Sequence, residues 1–115
     1  MKQMIEQGGR ESLLGKAMDI KGLIGYQDHA VVSRTLIDRK EGTMTVFAFD
    51  AGEGLSEHTA PFDATVLVLE GDVEIIIDGK PQTLKEGEMV IMPAKHPHAL
   101  RALTRFKMML IMIRG

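Results

Sequence analysis

The chain has 115 residues, 44% of them hydrophobic, a formal net charge of -2 at pH 7 and no cysteine. That length suits one domain and buries enough surface for a core without a covalent staple. The charge balance argues against a general nucleic-acid or anionic-membrane binder, and the missing cysteines exclude disulfides, thiolate metal sites and iron–sulfur clusters.

Residues 1–25 are polar, dotted with glycine and only weakly helical around residues 11–18; they read as an N-terminal extension to a domain of residues 26–115. Glu6, Arg10 and Glu11 stand where a signal peptide needs an apolar core, and no apolar run approaches the roughly 18 residues that cross a bilayer. A soluble cytoplasmic protein with no membrane partner is the expectation. Beyond residue 25 short β-rich segments are separated by turn signals at the spacing of a sandwich or barrel. Residues 31–37 and 43–49 flank a hairpin-length loop, Asp38-Arg39-Lys40-Glu41-Gly42. Val73–Ile77 and Lys80–Leu84 are separated by Asp78-Gly79 alone, the dipeptide that supplies positive φ at both centres of a type I′ turn. Pro81 cannot donate to a ladder, so Lys80–Leu84 is expected to pair on one side only near its start. Glu86-Gly87 opens Met89–Met92, Pro93 closes it, and Phe106–Ile113 is the last strand. Both faces of that strand are apolar. In a small closed barrel the core covers the inner face; the outer face then needs the N-terminal segment or a second subunit, and a homodimer is expected.

Two stretches carry chemistry. "LSEHTAPFDATVLVLEG" (55–71) places His58 before a Thr-Ala-Pro turn and an apolar strand, and "GEMVIMPAKHPHALRA" (87–102) places His96 and His98 after Pro93. His58 is expected at the mouth of one hairpin and His98 at the mouth of another, where neighbouring strands can bring side chains to one site. Gly52, His58 and Gly71 fit the spacing G-x5-H-x-H-x3-E-x6-G, and Gly87, Pro93 and His98 fit G-x5-P-x-G-x2-H-x3-N. In these positions the chain resembles the cupin superfamily over about residues 45–113. Ala60 stands for the second histidine of the first motif, Ala64 for its carboxylate, Lys95 for the glycine and Ala102 for the asparagine of the second.

The resemblance implies an all-β, double-stranded β-helix of the jelly-roll type, a pocket at one end of it, and His58 and His98 as ligands of a divalent metal ion (Fe, Mn, Ni or Zn). Catalytic metal sites commonly present three protein ligands. Two residues could supply a third. His96 lies two before His98, which is same-face spacing if the chain stays extended through Pro97; Asp63 adjoins the missing carboxylate, and a small bulge could swing it inward. Their bland readings are a solvated loop residue for His96 and a cap on the turn after Pro61 for Asp63; for His58 and His98 the bland reading is a satisfied buried pair. Lys95, Arg101, Arg105 and Lys107 read as a solvated outer face rather than an anion site. The nine methionines read mostly as core filler that would also suit a cavity for an apolar or variable ligand. Two functions stay open: a metal-dependent oxygenase- or isomerase-type enzyme, and a metal-free module that binds a small molecule through neutral imidazoles.

Overall fold

The computed structural model describes residues 4–6 and 13–114. Ten strands form two sheets: β1 (Met4–Glu6), β2 (Val31–Arg39), β3 (Gly42–Phe49), β4 (Gly54–His58), β5 (Ala64–Glu70), β6 (Val73–Ile77), β7 (Lys80–Leu84), β8 (Met89–Met92), β9 (His98–Ala102) and β10 (Phe106–Ile113). The six-stranded sheet runs β1-β2-β3-β10-β5-β8 and the four-stranded sheet β4-β9-β6-β7. From β3 onward the chain crosses from one sheet to the other at every connection except the β6–β7 hairpin, which is the winding of a jelly-roll double-stranded β-helix. The expected closed barrel is corrected in one respect: no ladder joins the edges of the two sheets among the described residues. Twisted sheets packed face to face need no such seam, and β7, an edge strand, carries Pro81, which has no N–H to offer.

Alternation along the strands divides the core in two. Between the sheets lie Val31, Phe47, Phe49, Val66, Val68, Ile75, Leu100, Phe106 and Met108, with Phe49 and Phe106 rings stacked at 5.0 Å. The opposite face of the large sheet packs Val32, Val46, Ala48, Leu69 and Met109 under Ile20, Leu23, Ile24 and Tyr26. A 3-10 turn, Ile20–Leu23, carries part of that cover, and the Asp19 carboxylate accepts from the Lys21 N–H at 3.1 Å. The N-terminal segment thus covers one part of the outer face, as the doubly apolar β10 requires. It is not helical over 14–18, where Gly15 sits at φ 74°; residues 11 and 12 lie outside the described residues. Met4–Glu6 adds a parallel edge strand to β2.

The Asp78-Gly79 turn has φ 53° and 77°, as type I′ demands, and β7 pairs with β6 alone. The loop before β3 is shorter than expected. Pairing continues to Arg39 and Gly42, leaving a turn of Lys40 and Glu41, because a register shift between Thr35 and Ile37 takes up one residue. Among the described residues no helix is long and apolar enough to cross a membrane.

Candidate functional site

β4 and β9 run antiparallel at one end of the jelly roll, and His58 and His98 are direct cross-strand partners there. They therefore belong to one strand pair, not to the mouths of two hairpins. Directly opposed residues in such a pair bring their side chains within contact distance.

Alternation alone does not aim both inward. Leu55 pairs with Leu100, which is buried, so a regular β4 would turn Glu57 to the interior and His58 to solvent. A register shift between Leu55 and His58 inserts one extra residue. This bulge leaves Glu57 exposed and re-aims His58 at the cavity. The sequence signals anticipated a bulge near Asp63 and missed this one, because nothing in Ser56-Glu57 marks it.

The two rings lie 4.4 Å apart between centroids, nearly edge to face, with Nε2 to Nε2 at 3.2 Å. His58 Nδ1 is 2.7 Å from the Ser56 carbonyl, and His98 Nδ1 is 3.3 Å from the His96 carbonyl. A carbonyl only accepts, so each Nδ1 is assigned the ring proton. In that assignment each Nε2 keeps its lone pair, and the two Nε2 atoms meet at contact distance with the rings edge to face. A further proton is disfavoured: burial of His98, and after it the adjoining His58, push its imidazole below the ordinary histidine range.

The pair stands at the rim of a cavity of about 180 Å³. His98 is buried, whereas His58 opens to solvent. Leu55 and Leu100 line it from the small sheet, Ala64, Met92, Met108, Leu110 and Met112 from the large one, and Ala60 from the loop after β4. Among the described residues no other charged or hydroxyl-bearing side chain lines the cavity.

The other two candidate ligands are not brought to the pair. His96 is exposed, its Nδ1 2.7 Å from Asp78 Oδ2. The chain is not extended there: His96 N–H donates to the Pro93 carbonyl across a turn in which Lys95 takes φ 69°. Same-face spacing fails because that turn breaks the period of two. Asp63 lies on the outer side, beside a hollow lined by Thr65, Ile91, Ile111 and Ile113. Its Oδ1 accepts from Ala94 N–H at 2.8 Å, and the Ala60 carbonyl accepts from Lys95 N–H at 2.7 Å. Asp63 thus ties the loop after β4 to the loop before β9. Among the described residues no group of three or more His, Asp or Glu is placed to hold a metal ion.

Two donors of the pair do fit a metal. Two nitrogens each about 2.0–2.1 Å from one ion at the tetrahedral angle are about 3.4 Å apart, close to the observed 3.2 Å. Both Nδ1–H groups are held by carbonyls, the outer contact that fixes the tautomer of a metal-ligating histidine.

The cupin-domain family matches residues 45–114. The chain belongs to the cupins. It is similar to a conserved Streptococcus pyogenes protein of unknown function, at 36% identity over 88% of this chain and 89% of that one, with a TM-score of 0.84. A cupin 2 conserved barrel domain protein from Leptotrichia buccalis is 38% identical over 84% of this chain and 47% of its own, with a TM-score of 0.82. A cupin superfamily protein from Desulfitobacterium hafniense is 27% identical over 88% and 93%, with a TM-score of 0.84. No protein of curated function matches the chain.

The expected basic stripe divides. Arg101 is exposed and 3.4 Å from Glu74, as a solvated face requires. Lys107 is instead buried: its Nζ donates to the Lys21 carbonyl at 2.7 Å and lies 4.9 Å from the centre of the Tyr26 ring. The N-terminal segment folds over this lysine, so its place on the outer face of β10 is not a solvated one.

Proposed function

We propose that this cupin binds a small, compact, largely apolar molecule in the β4–β9 cavity, with the polar end of that molecule at the His58–His98 pair and a metal ion held between the two Nε2 atoms. The observation that carries this reading is the approach of the two Nε2 atoms to 3.2 Å at the rim of the apolar cavity, with both Nδ1 atoms facing backbone carbonyls. Apolar walls favour a ligand with one polar end over a sugar, whose several hydroxyls would find no partners there. A bound metal ion would supply a Lewis-acidic centre with positions open to that polar end. The residues present do the rest: Ser56 and His96 carbonyls orient the rings, Met and Leu side chains exclude water, and His58 leaves a path from solvent.

A second reading is supported by the small donor set. With two protein ligands, an N–H or O–H of the bound molecule could take the place of the ion and donate to one Nε2. Elemental analysis of protein purified without an affinity tag distinguishes them. The first reading expects metal that is lost in the double variant His58→Ala, His98→Ala, with the fold retained because rim residues carry little of the core. Metal-free wild-type protein that takes up no added ion would overturn it in favour of the second.

We also propose a homodimer. Ile37, Met44, Ile111, Thr65 and Ile91 form one row across five strands of the large sheet, by their register. Ile37, Ile91 and the neighbouring Ile113 are exposed. A second copy laid antiparallel on this apolar row would cover it on both chains. Sedimentation should give a dimer at micromolar concentration and a monomer for Ile91→Glu; a wild-type monomer removes the proposal.

A further inference from the structure

Beyond its two imidazoles, the cavity contains one further kind of donor, the thioether. Three neighbouring strands, β10, β5 and β8, set Met112, Ala64 and Met92 side by side in register. All three line the cavity, and Met108 joins them two residues before Leu110 on β10. The small Ala64 leaves space between two flexible methionine side chains. Every donor that can reach the centre is therefore neutral, and the sulfurs are soft.

Two physical points narrow what such a site holds. The cost of moving an ion from water into an apolar surrounding grows as the square of its charge, so a divalent ion costs about four times a monovalent one where no carboxylate offsets it. Thioether sulfur also prefers soft cations, Cu(I) above all, over hard or borderline divalent ions. The angle leaves room for further donors. Nitrogen donors about 2.0 Å from an ion and 3.2 Å from each other subtend roughly 105°, well short of linear two-coordination. A bent pair leaves one or two positions on the cavity side, where the methionines are.

We infer that the site is selective for monovalent copper, held by His58 Nε2 and His98 Nε2 with one or two thioethers from Met92, Met108 and Met112. This rests on the reading of the histidine pair as metal donors and replaces the expected divalent ion with a soft monovalent one. The protein would then acquire Cu(I) from a reducing medium and shield it from water.

The test is anaerobic titration of the metal-free protein with Cu(I) in ascorbate, against a chromophoric Cu(I) chelator, followed by X-ray absorption at the copper edge. A single equivalent bound with a mixed nitrogen and sulfur shell is expected. Met92→Leu with Met112→Leu, near-isosteric changes that keep the core filled, should weaken binding by at least about tenfold, since even outer contacts of a metal site are worth about 10–100-fold. Copper bound through nitrogen and oxygen alone, or with unchanged affinity in the methionine variant, overturns the soft site and leaves the histidine pair standing. Preferential uptake of Zn(II) over Cu(I) does the same. If neither ion binds, the metal reading of the pair falls with it.

Discussion

Two polar clusters sit at different places on one apolar frame, and they differ in how far their groups satisfy one another. Around Tyr26 every charge has a partner. The phenol donates to Glu70, Lys107 caps the Lys21 carbonyl, and Arg105 bridges Asp50 at 3.0 Å and Asp28 at 2.5 Å. At the other end, two imidazoles face backbone carbonyls through Nδ1 and meet each other at Nε2 over an apolar cavity. A closed network fastens the N-terminal segment to the sheet. The difference teaches that burial of polar groups does not by itself mark function; their remaining bonding capacity does.

That contrast is sharpest for Lys107. Lys107→Met keeps the stem but leaves the Lys21 carbonyl without its donor and strips the cation from Tyr26 and Glu70. A loss of about 2 kcal/mol in unfolding free energy is expected, with metal uptake unchanged; denaturant titration beside elemental analysis checks both. Reduced uptake at unchanged stability would invert the assignment of the two clusters.

The β6–β7 hairpin borders the open cluster through Asp78, which holds His96 away from the cavity. Gly79→Val forces a β-branched residue into φ 77° and should cost about 1 kcal/mol or more, read as a lower thermal midpoint. An unchanged midpoint would mean that the turn does not set the register. The Lys95→Gly change works in the opposite direction. Lys95 pays the left-handed strain at φ 69°, so glycine should stabilise by roughly 0.5–1 kcal/mol after allowing for the freer unfolded chain. Destabilisation would show that the lysine side chain has a role beyond filling a turn.

Two groups of the closed cluster, Asp50 and Tyr26, are shifted away from neutrality. The His29 N–H, followed by Arg105, pulls Asp50 down to about 2. The bonds that lower it favour the folded state above the ordinary carboxylate value and are lost as pH falls from about 4 toward 2. Burial, followed by the hydrogen bond to Glu70, pushes the Tyr26 phenol well above its usual range. That contribution is complete below about pH 10 and fades above it, where the unfolded chain ionises first. Tyr26 is the only tyrosine, so its ultraviolet titration can be followed directly, and Asp50→Asn should flatten the acid limb of stability. Ionisation of Tyr26 at its ordinary value in folded protein would break the picture of a closed network.

Much of the frame was legible in the chain. Apolar β-rich runs and turn punctuation located β6, β7, β8 and β10, and Asp78-Gly79 its hairpin, because these signals act between residues close in sequence. The apolar outer face of β10 called for a cover, and Ile20–Tyr26 supply part of it. The two motif histidines could be picked from spacing, since spacing is what survives when other motif positions become alanine.

Which side chains meet was decided by tertiary structure. Residue identity could not say that a bulge between Leu55 and His58 would exchange Glu57 for His58 at the cavity, since a bulge is set by the partner strand. Nor could spacing alone separate His96 from His98: a turn with Lys95 at positive φ gives one to Asp78 and the other to His58. The burial of Lys107 likewise depends on a contact 86 residues away in the chain. Local pattern determined the strands, turns and apolar faces of this protein. Pairing between distant strands determined which of its polar groups are spent and which remain free to bind.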